Sequence, residues 1–352
     1  MKYITNEILI DDSGKKNAGS KARNDVTDIF VENEYEKLDL EWPILKKRSI
    51  FNLLKLQVKA KKEFINKFSC LKKGDVLVLQ YPNMRWLFSI GTLINNLNRR
   101  GVKVVTWIHD IPSLRSELGS DSNSFLVHKL KMMEDQCFQA SEKVISHNEK
   151  MTNYLIERNV DKEKIIDLNL FDYLYDKVPN VMPEGNSSLI VAGNLSREKA
   201  GYLEKIPNKL FMNLYGVGFS GKTDEYIKYY GSFFPEELIE NLVGDYGLVW
   251  DGNSANGCKG SFGEYMKYNN PHKISLYLAS GIPVVIWKQA ALAEFVLNNK
   301  LGIVVDSLDE LPSIFKNLTD EDYKIMKTNA ESIGIKLRNG YFTKKVIKEM
   351  DL

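Results

Sequence analysis

The chain has 352 residues, a length that accommodates two domains with a hydrophobic core each. Its 43% hydrophobic and 27% charged content is typical of a soluble globular protein. The 48 lysines and arginines nearly balance 46 acidic residues, so the charge requires no nucleic-acid partner. Three distant cysteines, and no long apolar run in residues 1–10, indicate a cytoplasmic protein without signal peptide or membrane span.

A polar loop with glycines separates the first predicted strand, residues 3–5, from a predicted helix over residues 22–32. Such a loop between a strand and a helix can cradle a ligand. Ala18, Gly19 and Ser20 are therefore candidate contacts, although the loop lacks a dinucleotide-binding fingerprint.

Residues 46–67 form a basic segment with eight lysines or arginines and one acidic residue, Glu63. Its apolar residues recur at helical intervals, which predicts an amphipathic helix. Two interpretations stay open. In one, the helix lies on the anionic inner face of the cell membrane as a peripheral contact. In the other, its apolar face packs on the protein core while the lysines face water.

A strand–helix–strand unit is predicted next, with apolar strands over residues 75–80 and 102–108 and a helix over residues 87–100 between them. The second strand runs directly into His109 and Asp110. Because ligands of open α/β sheets bind at the carboxyl ends of strands, both residues are candidate catalytic groups. Either side chain can serve as a general base. The alternative for Asp110 is a structural cap on the following turn.

The same alternation of helices and strands continues to the end of the first half. Its further predicted elements are helices over residues 127–140 and 149–158 and strands over residues 143–145 and 165–168. Residues 113–123 are polar and predict a mobile loop. We therefore expect a doubly wound α/β domain over residues 1–182, with the proline- and glycine-containing segment 179–187 as linker.

After this linker the strand pattern restarts, which predicts a second doubly wound domain over residues 183–340. Predicted strands at 188–192, 211–215 and 247–250 each end in a short polar or glycine-containing loop, and a helix is predicted over residues 235–243. Loops at one rim of a sheet can form a nucleotide site, where cations meet phosphates and polar side chains meet sugar or base. The candidate nucleotide-sugar contacts in these loops are Gly193, Asn194, Ser196, Arg197, Lys199, Gly216, Tyr230, Phe233 and Asp251.

The stretch over residues 262–287 has the most informative pattern in the chain. A polar turn with a proline precedes a short apolar helix, residues 274–279, then Gly281 as a helix-ending glycine and an apolar strand over residues 283–287. The N-terminus of such a helix favours a phosphate, and Lys273 adds a positive charge. The candidate contacts in the turn are Asn269, Asn270, His272 and Lys273. The alternative is an ordinary helix with a solvated lysine.

The end of the chain, residues 341–352, contains a last predicted helix over residues 343–350, which we expect to cross back to the first domain. The sequence has no D-x-D pair at a predicted strand end and no cysteine pair with metal-ligand spacing. We therefore expect no metal site.

Segments along nearly the whole chain resemble those of bacterial β-1,6-galactofuranosyltransferases of O-antigen and capsule assembly. In the second half these segments are AGNLSREK (192–199), YGSF (230–233), GLVWDG (247–252) and FGEYMKYNNPHKISLYL (262–278). In the first half they are AGSKARND (18–25), HDI (109–111), VISHNEKMTNYL (144–155) and FDYL (171–174). A more distant resemblance connects the chain to the glucosyltransferase 3 group, which extends N-acetylglucosamine on serine-rich-repeat adhesins.

This resemblance implies a GT-B fold, in which two Rossmann-like domains face a cleft and the second domain holds most of the nucleotide. It implies a UDP-sugar donor as substrate with no cofactor, a lipid-linked or protein-linked glycan acceptor, and a homo-oligomer. The NNPHK turn and the glycine of WDG match the galactofuranosyl group, which favours UDP-galactofuranose. Asn194, Arg197 and Lys273 are carried over as pyrophosphate or nucleotide contacts, and Asp110 as an acceptor-side residue. Phe233 departs from the tyrosine of the glucosyltransferase group.

We expect an inverting glycosyltransferase from these residues and this resemblance. Sugar transfer from UDP needs a base for the acceptor hydroxyl and neutralisation of the departing diphosphate, which cations and helix N-termini can supply. Retaining GT-B enzymes usually carry two glutamates at a fixed spacing before this helix, whereas here Glu264 is followed at that spacing by His272. The alternatives are a UDP-glucose transferase acting on a glycosylated adhesin and a non-catalytic GT-B subunit that binds a partner transferase.

Overall fold

The computed structural model describes residues 1–10, 21–43, 50–83, 89–119, 124–179, 181–185, 187–206 and 210–352. Within these residues the chain forms two parallel sheets of six strands each. The strands of the first sheet are β1 (Lys2–Ile10), β2 (Glu36–Pro43), β3 (Val76–Tyr81), β4 (Lys103–Ile108), β5 (Lys143–Ser146) and β6 (Ile165–Asp167). Their spatial order is β2-β1-β3-β4-β5-β6, so the direction of winding reverses between β1 and β3.

The strands of the second sheet are β7 (Leu189–Asn194), β8 (Met212–Val217), β9 (Ile227–Tyr229), β10 (Tyr246–Val249), β11 (Val284–Trp287) and β12 (Gly302–Val305). Their order is β12-β11-β10-β7-β8-β9, and the winding reverses between β7 and β10. The inner strands β10 and β11 are apolar and buried along their whole length, since helices cover both faces of a parallel sheet.

Helices follow most strands and cover the two sheets. Those before β7 are α1 (Lys21–Glu32), α2 (Ile50–Phe68), α3 (Ile90–Arg99), α4 (Pro112–Glu117), α5 (Ser124–Ala140) and α6 (Glu149–Glu157). The later ones are α7 (Arg197–Ala200), α8 (Pro235–Asn241), α9 (Ser261–Tyr265), α10 (His272–Ala279), α11 (Ala293–Asn298), α12 (Leu311–Asn317), α13 (Asp320–Arg338) and α14 (Tyr341–Met350). The structure thus shows two doubly wound α/β domains, as expected from the repeated pattern.

The last helix, α14, lies against α1 of the first domain. Lys344 forms an ion pair with Glu32 at 3.1 Å. The Asp172 carboxylate accepts hydrogen bonds from the backbone N–H groups of Phe342 (3.2 Å) and Thr343 (2.7 Å), which caps the N-terminus of α14. The predicted domain boundaries at residues 182 and 340 stay predictions.

Three strands had no counterpart in the sequence pattern, and all three, β2, β9 and β12, lie at sheet edges. An edge strand is covered less than an inner strand, so β2 and β9 need not be continuous apolar runs, whereas β12 is a short apolar run (GIVV) that the prediction missed. The predicted loop over residues 113–123 is wrong over its first half, where α4 forms. The buried Glu134 carboxylate accepts from the Ser113 N–H at 2.9 Å and pairs with Arg158 at 2.7 Å, a stabilisation that local sequence does not reveal.

Helix α2 covers most of the basic segment, and residues 46–49 lie outside the described residues. Its side chains of Leu56, Ala60, Phe64 and Phe68, spaced four residues apart, are buried in the core. The core-facing interpretation is therefore correct for this face. The opposite face is lysine-rich and also exposes Val58 (71%). In the described part of the chain, no helix combines the length and apolarity that crossing a bilayer requires.

Candidate active site

A cavity of about 540 Å³ lies between the two domains, at the carboxyl ends of the strands where both sheets reverse their winding. Residues of both domains line it. The charged side chains in its lining are Arg23, Asp110 and Arg115 of the first domain and Lys199, Asp251 and Lys273 of the second. Four cations against two carboxylates leave an excess of two positive charges, which suits an anionic ligand.

Lys273 occupies the first turn of α10, as the sequence predicted, and is only 12% exposed. Its ammonium group donates to the Asp251 carboxylate at 2.7 Å and to the Trp250 carbonyl at 2.9 Å. The alternative of a solvated lysine is therefore wrong. An ammonium group carries three protons, so one remains available to a ligand in the cavity.

A second lysine shares the same carboxylate. The Lys199 ammonium lies 3.7 Å from the other oxygen of Asp251 and 5.3 Å from the ring centre of Phe262. The guanidinium of Arg115, from the first domain, lies 5.6 Å from the same ring. Cations over an aromatic face are stabilised by its negative potential, so Phe262 holds one cation from each domain at the cavity.

Two glycines at the ends of neighbouring strands form part of the cavity lining. Gly193 of β7 pairs with Gly216 of β8, and both have positive φ angles, +133° and +143°. A Cβ on Gly216 would lie 1.7 Å from the carbonyl oxygen of Gly193, so a side chain cannot be accommodated there. Next to them, the Asn194 side-chain oxygen accepts from the Ser196 N–H at 2.9 Å and fixes the loop after β7.

His109, at the carboxyl end of β4, has one ring nitrogen, Nε2, within 2.7 Å of the side-chain oxygen of Gln80. The ring stacks on Phe171 with a centroid distance of 5.6 Å and an interplanar angle of 9°. Burial lowers the pKa of His109 well below its usual value, and the nearby cationic Arg23 lowers it further. The imidazole is therefore neutral at physiological pH and can accept a proton.

Asp110 follows His109 and faces the same cavity. Its Oδ2 accepts a hydrogen bond from Arg115 in an ion pair. Its Oδ1 is a buried atom with no hydrogen-bond partner among the described residues. Ile111, not Asp110, precedes α4 as the N-cap residue, which rules out the alternative of a structural cap.

Arg23 is a cavity residue that the sequence analysis did not single out. It lies in the first turn of α1, its NH2 donates to the Pro82 carbonyl at 2.5 Å, and its NH1 lies 3.7 Å from Glu7. NH1 is buried without a hydrogen bond within the described ranges. The signal that identified Lys273, a cation in the first turn of a helix, would also have identified Arg23.

Asn270 lines the cavity, and its polar atoms also join the two domains. Its side-chain nitrogen donates to the carbonyls of His147 (2.7 Å) and Asn169 (2.8 Å), and its side-chain oxygen accepts from Asn148 (2.7 Å). Its backbone N–H donates to Nδ1 of His147 at 3.1 Å. Burial lowers the pKa of His147 to about 3, so this acceptor nitrogen stays unprotonated. We call these four hydrogen bonds the domain latch.

His272 also contacts the first domain. Its Nε2 lies 3.3 Å from the Asp172 carbonyl, and its ring stacks on Tyr173 at 5.2 Å. Burial lowers the pKa of His272 to about 4, so it too is neutral. Both His272 and Asn270 still line the cavity, but their hydrogen bonds to the first domain fix how the domains face each other.

The structure brings most predicted site residues together. Those that line the cavity are His109, Asp110, Gly193, Asn194, Lys199, Gly216, Phe233, Asp251, Asn269, Asn270, His272 and Lys273. Ser196, Arg197 and Tyr230 do not line it. Tyr230 stacks on Tyr215 at 4.8 Å, and Arg197 is 79% exposed and pairs with Glu204 at 3.2 Å. Ala18, Gly19 and Ser20 lie outside the described residues.

Comparison with known proteins shows which family the chain resembles. The family model described as the N-terminal domain of glucosyltransferase 3-like proteins matches residues 1–170, and the C-terminal domain model matches residues 189–350. The chain is similar to β-1,6-galactofuranosyltransferase WbbI of Escherichia coli (strain K12), with 34% identity over 99% of this chain and 98% of that protein. It is 31% identical to glucosyltransferase 3 of Streptococcus gordonii over 78% of each chain.

Among solved structures, the fold is similar to that of Anabaena HepE in complex with UDP. The TM-score is 0.63 with 13% identity, and the match covers 100% of both chains. Together with the two facing doubly wound domains, this likeness confirms the expected GT-B fold.

Proposed function

Because the chain belongs to the glucosyltransferase 3-like family of glycosyltransferases, we propose that it transfers a hexose from a UDP-sugar to a glycan acceptor with inversion at the anomeric carbon. The donor we favour is UDP-galactofuranose. In support, the relative named β-1,6-galactofuranosyltransferase is similar along 99% of this chain. A place in the assembly of surface polysaccharide or another glycoconjugate belongs to the same proposal.

The observation that carries this proposal is the charge of the interdomain cavity. Its second-domain wall presents Lys273 and Lys199, which share a single carboxylate, at the point where a UDP diphosphate would lie in a doubly wound sheet. Charge-assisted hydrogen bonds to a diphosphate strengthen as negative charge develops on the leaving group, so these cations stabilise the transition state. HepE, which shares the fold, was crystallised in complex with UDP.

Arg197 is included in the diphosphate site as part of this proposal. It is highly exposed, and its ion pair with Glu204 lies on the surface. Such a pair is worth at most about 1 kcal/mol, so a diphosphate can draw the guanidinium away from Glu204. The Gly193–Gly216 backbone would leave room for the nucleotide to approach the strand ends.

The first-domain wall would activate the acceptor. The acceptor hydroxyl oxygen attacks the anomeric carbon, the bond from that carbon to the diphosphate oxygen breaks, and its electron pair leaves with UDP. The hydroxyl proton passes to a base, for which we propose His109, because its imidazole is neutral and lines the cavity. Asp110, already paired with Arg115, lines the same cavity and would accept a hydrogen bond from a sugar hydroxyl.

The test is release of UDP from a panel of UDP-sugars, with galactofuranose, galactopyranose, glucose and N-acetylglucosamine donors. We expect turnover and thermal stabilisation with UDP-galactofuranose above the others. A chain that hydrolyses or transfers none of these sugars is not a UDP-sugar transferase. Product stereochemistry, read by NMR of the new linkage, decides between inversion and retention.

UDP-glucose is the second candidate donor. The family models that match both halves of the chain are named after glucosyltransferase 3, which favours it. Higher turnover with UDP-glucose than with UDP-galactofuranose would select this candidate. An N-acetylglucosamine-modified serine-rich peptide is the acceptor to test with it.

If the acceptor is lipid-linked, we propose that α2 holds the enzyme at the anionic inner face of the cell membrane. Its outer face carries the exposed Lys55, Lys59, Lys61 and Lys62 around the exposed Val58. Liposome co-sedimentation should then require anionic lipid and weaken with salt, because surface charges are screened within about 10 Å at 0.1 M. Equal binding to neutral vesicles contradicts this. A homo-oligomer stays a prediction from the resemblance.

A further inference from the structure

The environment of His109 contains a hydrogen-bond relay that the proposed function does not use. The relay begins at Gln80 of β3, which is 2% exposed and lies beside β4, the strand directly before His109. The Gln80 side-chain oxygen is 2.7 Å from Nε2 of His109. The His109 backbone N–H also donates to the Tyr81 carbonyl at 2.7 Å, so the residue is anchored at its backbone and at its ring.

The orientation of the Gln80 amide is fixed by its nitrogen. That nitrogen donates to the Thr5 carbonyl at 2.9 Å and to the Thr27 hydroxyl oxygen at 2.9 Å. The Thr27 hydroxyl donates its own proton to the Arg23 carbonyl at 2.9 Å, so it can only accept from Gln80. Turning the amide over would place its oxygen against the Thr5 carbonyl oxygen, two acceptors without a proton between them.

Since the Gln80 oxygen can only accept, Nε2 of His109 must carry the ring proton. The neutral ring then has its lone pair on Nδ1. Nδ1 makes no hydrogen bond within the part of the chain that the structure describes, and His109 lines the cavity. The available nitrogen is therefore a proton acceptor and not a donor.

We propose that Gln80 is a positioning residue that holds His109 in the Nε2–H tautomer, so that Nδ1 takes the proton of the acceptor hydroxyl. This inference rests on the proposed sugar transfer. In the step, the hydroxyl O–H bond breaks and an Nδ1–H bond forms, while the oxygen bonds to the anomeric carbon and the diphosphate leaves. Gln80 keeps its hydrogen bond to Nε2–H before and after the transfer.

A neutral amide in this position has a consequence for basicity. A carboxylate would favour the protonated ring, whereas the Gln80 oxygen orients it without adding negative charge. The charged and titratable groups around His109 are Arg23 from α1, His147 after β5, His272 from α10 and its chain neighbour Asp110. Except for Asp110, none of these favours a charged imidazole, which leaves His109 unprotonated through the neutral range.

The first experiment reads the tautomer directly and needs no substrate. The chain has four histidines, so 15N-histidine labelling with His109→Gln for assignment resolves the His109 ring by NMR. We expect a protonated Nε2 and an unprotonated Nδ1 in the wild type. We expect a mixture of tautomers in Gln80→Met, which lacks the accepting oxygen. A wild-type ring protonated on Nδ1, or an unchanged ring in Gln80→Met, overturns the proposal.

The second experiment is the pH profile of UDP release with the best donor of the panel. Gln80→Glu places a carboxylate beside Nε2, which favours the protonated ring. The acid limb of the profile should therefore move to higher pH by about 1–3 units. Gln80→Met should lower the transfer rate at least about tenfold with little change in the KM for the donor. A transfer rate of Gln80→Met equal to that of the wild type overturns the proposal.

Thr27→Val is the matched control. It removes one partner of the Gln80 nitrogen but leaves the Thr5 carbonyl to fix the amide, so the tautomer and the position of the acid limb should not change. If the acid limb of the pH profile moves as far in Thr27→Val as in Gln80→Glu, the shift comes from altered packing around Gln80. That result contradicts the proposed hydrogen-bond relay to His109. Failure of the wild type to turn over any UDP-sugar would refute the proposed function, whereas the NMR result would still decide the tautomer.

Discussion

The two walls of the cleft are built from different kinds of groups. The second-domain wall holds charges that are paired in advance, since Lys273 and Lys199 both face the buried Asp251. The first-domain wall holds a neutral ring fixed by the neutral amide of Gln80. A wall that must bind a diphosphate needs charge that a ligand can share, whereas a wall that must take a proton needs an uncharged base in a fixed orientation. Variants of the second-domain wall should therefore weaken UDP binding without changing the base. Variants of the first-domain wall should lower the transfer rate without changing UDP affinity.

The largest expected effect lies in the first-domain wall. His109→Ala should lower the transfer rate by about 10²–10⁴ because it removes the base, while UDP affinity measured by calorimetry stays unchanged. Asp110→Asn should cost less, since its Oδ2 is already held by Arg115. His128→Ala, an exposed histidine of α5, is the control. If Asp110→Asn abolishes transfer and His109→Ala does not, the base is Asp110 and the assignment of the two residues is reversed.

The second-largest effect is expected in the second-domain wall, on UDP binding. Lys273→Ala removes a cation from the diphosphate site and should weaken UDP binding by about 1.5–3 kcal/mol, measured by titration calorimetry. Lys288→Ala, a lysine that pairs with Asp306 on the surface, is the matched control and should bind UDP normally. Equal UDP affinity of wild type and Lys273→Ala would remove the second-domain wall from the proposed donor site.

The third effect concerns the domain latch, the hydrogen bonds of Asn270 that fix how the two domains face each other. Asn270→Ala removes the side-chain hydrogen bonds to His147, Asn148 and Asn169 and leaves buried polar groups unpaired. Each such group costs about 1–3 kcal/mol, so thermal denaturation should occur at a lower temperature and transfer should weaken. Asn299→Ala, whose exposed side chain bonds only to the Phe295 carbonyl within the described residues, serves as control. An unchanged Tm would contradict the role of Asn270 as a latch.

The smallest effect tests whether Arg197 belongs to the diphosphate site of the second-domain wall. If the diphosphate draws Arg197 away from Glu204, Arg197→Ala should weaken UDP binding by less than Lys273→Ala does. Glu204→Gln should leave affinity unchanged or raise it by up to about 1 kcal/mol, since it releases the guanidinium from its surface pair. Calorimetry of both variants checks this. Wild-type affinity in Arg197→Ala would show that this residue stays outside the site.

Local sequence was sufficient to identify the second-domain wall. Lys273 stands in the first turn of a helix after a proline turn, Gly193 and Gly216 lie near the ends of β7 and β8, and Asp251 comes after β10. Each of these signals lies within a few neighbouring residues, and the rule that strand ends meet at one rim brings them together. The apolar inner strands were predictable for the same reason, because burial on both faces of a sheet is visible as a continuous apolar run.

Only the tertiary structure decided the roles of Gln80, Arg23 and Asn270. Gln80 orients His109 because β3 and β4 are neighbours, and its amide is fixed by Thr5 of a third strand. Asn270, in a polar turn typical of a ligand loop, gives its hydrogen bonds to the other domain. A polar side chain can pair with a ligand, with water or with a distant backbone group, and the sequence around it is the same in each case. Which partner it has depends on what the fold brings within hydrogen-bond distance.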